Sequence, residues 1–450
     1  MKNLIAIALL ATAASALTLN AGAQGSAAAS VAFVGVNVIP MDRETVLRDQ
    51  TVLIQDGKIT SVGPSKSVLV PEGATRVDAA QTFLIPALAE MHAHIPGGNA
   101  PDAAIERTLF LYAANGIGTI RGMLGHPRHL AYRARVEKGE LFSPKIYTSG
   151  PSLNGQSVTS KEAAIEAVTS QKAAGYDLLK IHPGVQRDVF DALAAKAHEV
   201  GIDFAGHVPL EVGLDRALEA RYRSIDHLDG YLEAMSKNPM QSQFFGVNLV
   251  NELDESKIPA LVAATKKAGT WMVPTQVLMD NLMTDEDPVE MAKRPEMKYA
   301  LQPAQIKQWI AQKQGFLAKI PAPDRAKFLD VRRRLITALY DGGVPFALGS
   351  DAPQWWNVPG FSAHRELESL VLAGLTPYQA LRTGTVDVAT YFGTKDTGTI
   401  AAGKMADLIL LDANPLENIA NSSKIAGVMI GGRWMAKPEI EKRLEGRVPK

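Results

Sequence analysis

The chain of 450 residues carries 47 Lys and Arg against 47 Asp and Glu, is 46% hydrophobic and 21% charged, and has no cysteine. That length exceeds the usual ceiling of about 250–300 residues for one core, so a large barrel with an appendage, or two to three domains, is expected. The composition excludes a disordered chain, the charge balance leaves no footprint for nucleic acid or an anionic membrane, and the missing cysteine excludes disulfides and a lipid-modified cysteine.

Taken in order, the chain opens with a basic start at Lys2, a short apolar core over Leu4–Leu10 and small residues running to Ala23. This pattern predicts a secretory signal peptide over 1–23, cleaved after Ala23, and hence a periplasmic or secreted protein. The apolar core is shorter than the about 20 residues a bilayer span needs, so no membrane partner is expected after cleavage. Residues 24–82 hold short β-like runs, Val31–Ile39 and Thr51–Ile54, followed by the turn Asp56-Gly57. Gly398–Asp412 and Val428–Trp434 repeat that texture, so 392–450 are predicted to complete a small β-sandwich built from both chain ends.

Between them, residues 83–391 alternate apolar strands with amphipathic helices such as 161–174 and 187–200. Eight strands are read: 83–94, 117–120, 145–148, 178–181, 203–207, 224–227, 271–273 and 346–351. Eightfold alternation of this kind predicts a (β/α)8 barrel of TIM type, with its site at the C-terminal strand ends, and a doubly wound open sheet is the alternative. A long segment after the seventh strand, Gln276 to Leu339, is predicted to be helical and to border the site mouth.

Polar residues fall at those strand ends. His92 and His94 close the first strand on one face, Lys180 lies in the fourth, His207 and His227 end the fifth and sixth, and Asp351 follows the eighth. Singly, each has a plain explanation: a solvated histidine, a helix N-cap, a snorkelling lysine. Independent residues have no reason to gather at one rim, so together they predict a metal site. Imidazoles suit zinc, and carboxylates suit harder ions and bridge metals well. A pair of ions requires an anionic bridge, for which Lys180, held neutral by burial, is the candidate.

The pattern resembles the amidohydrolase superfamily. The resemblance is carried by Ile85–His94, Asn115–Arg121, Tyr176–Lys180, Ser224–His227, Gly349–Asp351 and Gly398–Leu408, and covers nearly all of the chain after the leader. Within the superfamily the chain looks most like the imidazolonepropionase-related group that includes Xaa-Pro and other dipeptidases and ochratoxin-type amidases. That resemblance implies two divalent ions, zinc for preference. His92, His94 and Asp351 would hold one, His207 and His227 the other, and carboxylated Lys180 would bridge them. It further implies hydrolysis of a C–N amide bond by a metal-bridged hydroxide, with Asp351 as general base and then general acid.

Two more residues are candidates. Tyr231 is placed to donate to the developing oxyanion or to pack as a loop aromatic. Arg121, followed by Gly122 where relatives carry aspartate, is read as meeting a substrate carboxylate or, by preference, a partner inside the barrel. His182 is a candidate substrate contact. His126, His129 and His198 are read as structural or exposed, and His364 as a helix-packing residue. The expected substrate is a small peptide, dipeptide or N-acyl amino acid. An esterase or lactonase on the same site is the neighbouring alternative. A deaminase is disfavoured because Glu211 stands four residues past His207 and beyond Pro209, and a barrel that has lost catalysis is disfavoured because all six ligands are present. A homo-oligomer is compatible with the sequence.

Overall fold

The computed structural model of the chain describes residues 30–300 and 303–446. The predicted leader over 1–23 lies outside the described residues. Strands β1 (Ser30–Val38), β2 (Leu47–Gln55), β3 (Lys58–Pro64), β4 (Thr75–Asp78) and β5 (Phe83–Pro86) come from the N-terminal part. The parallel strands that follow are β6 (Leu88–Ala93), β7 (Ile117–Gly122), β8 (Lys145–Thr148), β9 (Leu178–Ile181), β10 (Asp203–Gly206), β11 (Ser224–Asp226) and β12 (Trp271–Val273), and β13 (Leu408–Leu411), β14 (Ile425–Ile430) and β15 (Arg433–Ala436) end the chain.

Strands from both ends share one sheet, ordered β15-β14-β13-β5-β1-β2-β3, with β4 also paired to β1. Their alternating apolar residues, among them Phe33, Val52, Leu84, Leu408 and Met429, form one core. The two layers expected of a sandwich are therefore parts of one continuous sheet. A second correction concerns the predicted strand 83–94, which is two strands. Leu408–Leu411 pairs antiparallel with Phe83–Pro86. At Ala87 the backbone N–H still bonds Asp407, while that of Leu88 bonds Gly116. The chain steps from one sheet to the other at that residue.

The parallel strands form two sheets, β6-β7-β8 and β9-β10-β11-β12. Isolated bridges join Ser149 to Leu178 and Leu153 to Ile181. The predicted eighth strand carries no continuous ladder, yet segment 345–352 bonds on both sides: Ala347 N–H to Met272 O at 2.9 Å, Met91 N–H to Leu348 O at 2.7 Å and Asp351 N–H to His92 O at 3.1 Å. Ile120, Leu179, Phe204, Ile225 and Met272 from successive strands belong to the same buried cluster as residues of the surrounding helices.

Local signals explain the helices. Lys161–Ala173 starts at Ser160, whose hydroxyl accepts the N–H of Ala163, and Arg187–Val200 stops at Gly201 in the left-handed conformation, φ 65°. The segment after β12 is helical over Gln276–Met283, Pro288–Met291, Pro303–Lys319 and Ala322–Asp341. Its reach to the site runs through Arg332, wholly buried, which donates to His227 O at 2.7 Å and Pro274 O at 3.2 Å. No helix among the described residues is long and apolar enough to cross a membrane.

Candidate metal centre

Every residue of β6 is buried, alternation puts Glu90 and His92 on one face of it, and His94 follows just past the strand end. Glu90 fixes the two segments that carry the first ligands. Its carboxylate accepts the backbone N–H of His92 at 3.0 Å, the N–H of Ser350 at 2.8 Å and the Ser350 hydroxyl at 2.6 Å. His94 Nε2 then stands 2.7 Å from Asp351 Oδ1 and His92 Nε2 stands 3.5 Å from the same oxygen. One ligand atom from each of His92, His94 and Asp351 lies within 4.8 Å of the others, so this group fits a metal site.

The other predicted residues converge on it. Lys180 Nζ lies 3.4 Å from His92 Nε2 and 3.8 Å from Asp226. The His227 ring stands 4.6 Å from that of His92 and 4.5 Å from that of His207, centroid to centroid. Two of the imidazoles, His207 and His227, are anchored through their second nitrogen. His207 Nδ1 meets Asp229 at 2.7 Å, His227 Nδ1 meets Thr275 Oγ1 at 2.7 Å, and His92 Nδ1 lies 2.9 Å from Asp226 Oδ2 without the alignment of a hydrogen bond. Anchoring Nδ1 leaves Nε2 as the nitrogen free to accept a partner on both His207 and His227.

Backbone geometry makes this convergence possible. His227, Thr275 and Asp351 are non-glycine residues with φ of 63°, 47° and 63°. Such conformations cost on the order of 1–3 kcal/mol each and persist only where the surroundings enforce them. Strand alternation would turn residue 227 to the face opposite Asp226, and the left-handed turn at His227 brings its ring back to 4.6 Å from that of His92, which lies against Asp226.

Burial sets the protonation states. It holds His92 and His227 well below the usual imidazole range and, with the Lys180 ammonium nearby, lowers His207 to about 3. Three neutral imidazoles result, the form that binds metal. Burial also lowers Lys180, against the pull of Asp226 and Asp351, and raises Asp229 to about 7.

Two predicted residues lie elsewhere than expected. Tyr231 is wholly buried with its hydroxyl 2.7 Å from Thr265 Oγ1 and 3.4 Å from Met272 sulfur, so it packs between helix and strand and does not face a carbonyl. This overturns its oxyanion role. Tyr231→Phe is therefore expected to leave kcat/KM within about twofold and to lower stability by about 1 kcal/mol, read from steady-state kinetics and thermal unfolding. Arg121 takes the internal place, donating to Met91 O at 2.6 Å, Ser224 Oγ and Tyr391 OH at 2.9 Å, and Asp226 Oδ1 at 3.3 Å. It touches no open space, and its part is to hold Asp226 beside His92 and Lys180.

His182 stacks on His207 at 5.0 Å with Nδ1 2.6 Å from Ser152 Oγ, and Nε2 has no hydrogen-bond partner among the described residues. The remaining histidines are structural: His126 caps helix Pro127–Glu137, His129 and His198 bond Pro96 O and Ala220 O, and His364 bonds Ser422 and Asn115 O. Sequence reasoning missed Glu90, Asp226, Asp229, Thr275 and Gln354, whose amide donates to Asp351 Oδ1. Glu90 and Asp226 had a signal, since a carboxylate inside an apolar strand beside a candidate ligand has to be matched to a partner.

Neutral imidazoles and a carboxylate at the C-terminal ends of parallel strands are what metal-assisted hydrolysis requires. Residues 83–435 match the Amidohydrolase family, and the chain belongs to that family of hydrolases acting on carbon–nitrogen bonds. Among its relatives is ochratoxinase of Aspergillus niger, 22% identical over 451 residues that cover 91% of this chain and 87% of the relative. Similar solved structures include the bottromycin amidohydrolase, TM-score 0.71 at 22% identity over 93% of this chain and 90% of that one. A Xaa-Pro dipeptidase with bound methionine gives a TM-score of 0.67 at 18% identity over 91% of this chain and all of the other, 100%. Family members generally use a divalent metal centre, in keeping with the His92, His94 and Asp351 group.

Proposed function

We propose that the protein hydrolyses the amide bond of a dipeptide, small peptide or N-acyl amino acid with two divalent ions, zinc for preference given the imidazole donors. The observation that carries this reading is Asp351 placed against two histidines, 2.7 Å from His94 and 3.5 Å from His92, with His207, His227 and Lys180 grouped beside them. The parallel strands are read as a (β/α)8 barrel closed through 345–352, which gives all six residues one rim. The names ochratoxinase, bottromycin amidohydrolase and Xaa-Pro dipeptidase support an amide substrate.

His92, His94 and Asp351 would hold one ion and His207 and His227 the other. Lys180, buried and beside Asp226, would be the anionic residue both ions share if its amine added carbon dioxide and released a proton to become a carbamate. When bound, the ions bring the pKa of a coordinated water to near neutrality and polarise the scissile carbonyl. Asp351 accepts the proton of the attacking water and returns it to the leaving amine. Gln354, donating to Asp351 Oδ1, fixes the orientation of that carboxylate. Asp229 and Thr275 keep His207 and His227 in one tautomer each. Residues 1–23 are proposed to export the chain.

The test is metal analysis combined with a hydrolysis screen on Xaa-Pro, Xaa-Arg, Xaa-Lys and N-acyl amino acid substrates beside lactones. The expected result is about two metal equivalents per chain, amide hydrolysis abolished by a chelator, and recovery on adding zinc. One equivalent with release of ammonia would identify a deaminase, and turnover of lactones alone would identify a lactonase.

A further inference from the structure

A cavity of about 710 Å³ borders the candidate centre, its lining including His207 and the Asp229 that bonds it. That volume is in the range that buries a small organic ligand. Its walls include Val208, Leu214, Met240, Phe244 and Phe245. Phe245 brings a phenyl ring beside the histidines, with its centroid 5.7 Å from that of His227 and 6.5 Å from that of His207. Phe244 stands edge-on to it at 5.1 Å and packs in turn on Phe316 at 4.4 Å and Trp355 at 6.0 Å.

The wall is held in place. Phe244 and Phe245 have left-handed φ of 42° and 58°, and Gly246 continues at 80°, where a Cβ would meet Leu232 at 2.9 Å. The loop that carries the rings is tied at three points: Ser242 donates to Glu233, Gln243 N–H to Asn248 Oδ1 at 2.8 Å, and Asn248 to Gln241 O at 2.9 Å. Two bulky residues kept in a disfavoured backbone conformation beside a site imply that the rings serve it. The charges around the cavity point the same way. Arg187 and Arg216 on the rim already face acids, Asp191 at 3.3 Å and 2.7 Å and, for Arg216, also Glu219 at 3.6 Å, whereas Asp215, Asp229 and Glu233 line the cavity as further acids. An anionic group entering here would find no free cation and several carboxylates.

We infer that this cavity is a specificity subsite for an uncharged apolar group, aromatic or branched aliphatic, flanking the bond that is cut, with Phe245 as the residue that selects it. The inference rests on the hydrolase reading for its role in catalysis, but the subsite can be measured without turnover. Ketones lack a scissile amide, so 4-phenyl-2-butanone and 2-butanone can be titrated into the full chain by ligand-observed NMR. The phenyl ketone is expected to bind about tenfold or more tightly than 2-butanone, which lacks the ring, the discrimination a formed apolar pocket gives. In Phe245→Ala the ratio of the two affinities should fall toward one. In Phe245→Leu, which keeps apolar bulk without the planar face, it should be intermediate, and this variant carries the test if the alanine variant fails to fold. Equal binding of the two ketones to the wild type, or an unchanged ratio in both variants, overturns the subsite even where amides are hydrolysed. A phenyl preference that Phe245→Ala abolishes, in a protein that cleaves no amide, upholds the subsite and removes the hydrolase reading alone.

Discussion

Asp351→Asn is expected to lower kcat on the preferred amide by on the order of a thousandfold, because the amide group cannot take up the proton that the carboxylate is placed to move. The substitution is a clean one. Asparagine tolerates the left-handed backbone that Asp351 adopts, φ 63°, and it keeps an oxygen within reach of Gln354 and His94. The fold should therefore survive, and loss of activity can be assigned to the missing base and the weaker ligand. Amine release measured beside metal content separates the two: a variant that keeps its metal but not its turnover has lost the proton carrier. Retention of more than about a tenth of wild-type kcat would contradict the role given to Asp351.

Lys180→Met should separate stability from function even further. Lys180 is wholly buried, and a methionine of similar length fills the same space without the desolvation cost of an amine. Asp226 would not be left alone, since Arg121 stays 3.3 Å from it. Unfolding temperature is thus expected to hold or to rise, by the equivalent of about 1–3 kcal/mol, the range seen when buried ionic groups are replaced by well-packed apolar ones. Over the same substitution hydrolysis should fall by about a thousandfold or more, with bound metal dropping below two equivalents. A variant that is less stable and fully active would show that Lys180 is a structural ion-pair member and nothing else.

How far the site could be read in advance depends on which physical rule places each residue. Strand alternation is local, so His92 and His94 at i and i+2, and the recurrence of ligand types at successive strand ends, are visible in the chain itself. The same rule fails at Tyr231. Direction there is set by His227 and Leu228, both at positive φ, and a left-handed turn at a non-glycine residue leaves no mark in composition or period. Asp226 and Glu90 stand out as carboxylates inside apolar strands, but the sequence does not say what meets them. Their partners come from distant segments, Arg121 and His92 for one and Ser350 for the other. No single stretch reveals that a carboxylate in it will be met across the fold. The eighth strand was legible as an apolar run but not in its irregular pairing, because its bonds alternate between two different neighbours.

The pairing of β5 with both β1 and β13 has a temporal consequence. Phe83–Pro86 runs directly into the segment that bears His92 and His94, and it gains its second edge only from Leu408–Leu411, more than three hundred residues downstream. Contacts of such sequence separation form late, because a long loop must close before they contribute. A chain still emerging from the ribosome therefore carries, immediately before the strand that leads to its first two histidines, a strand with an open flank. The site becomes rigid only after synthesis ends, and a truncation that removed β13–β15 would unsettle a metal centre to which it contributes no atom.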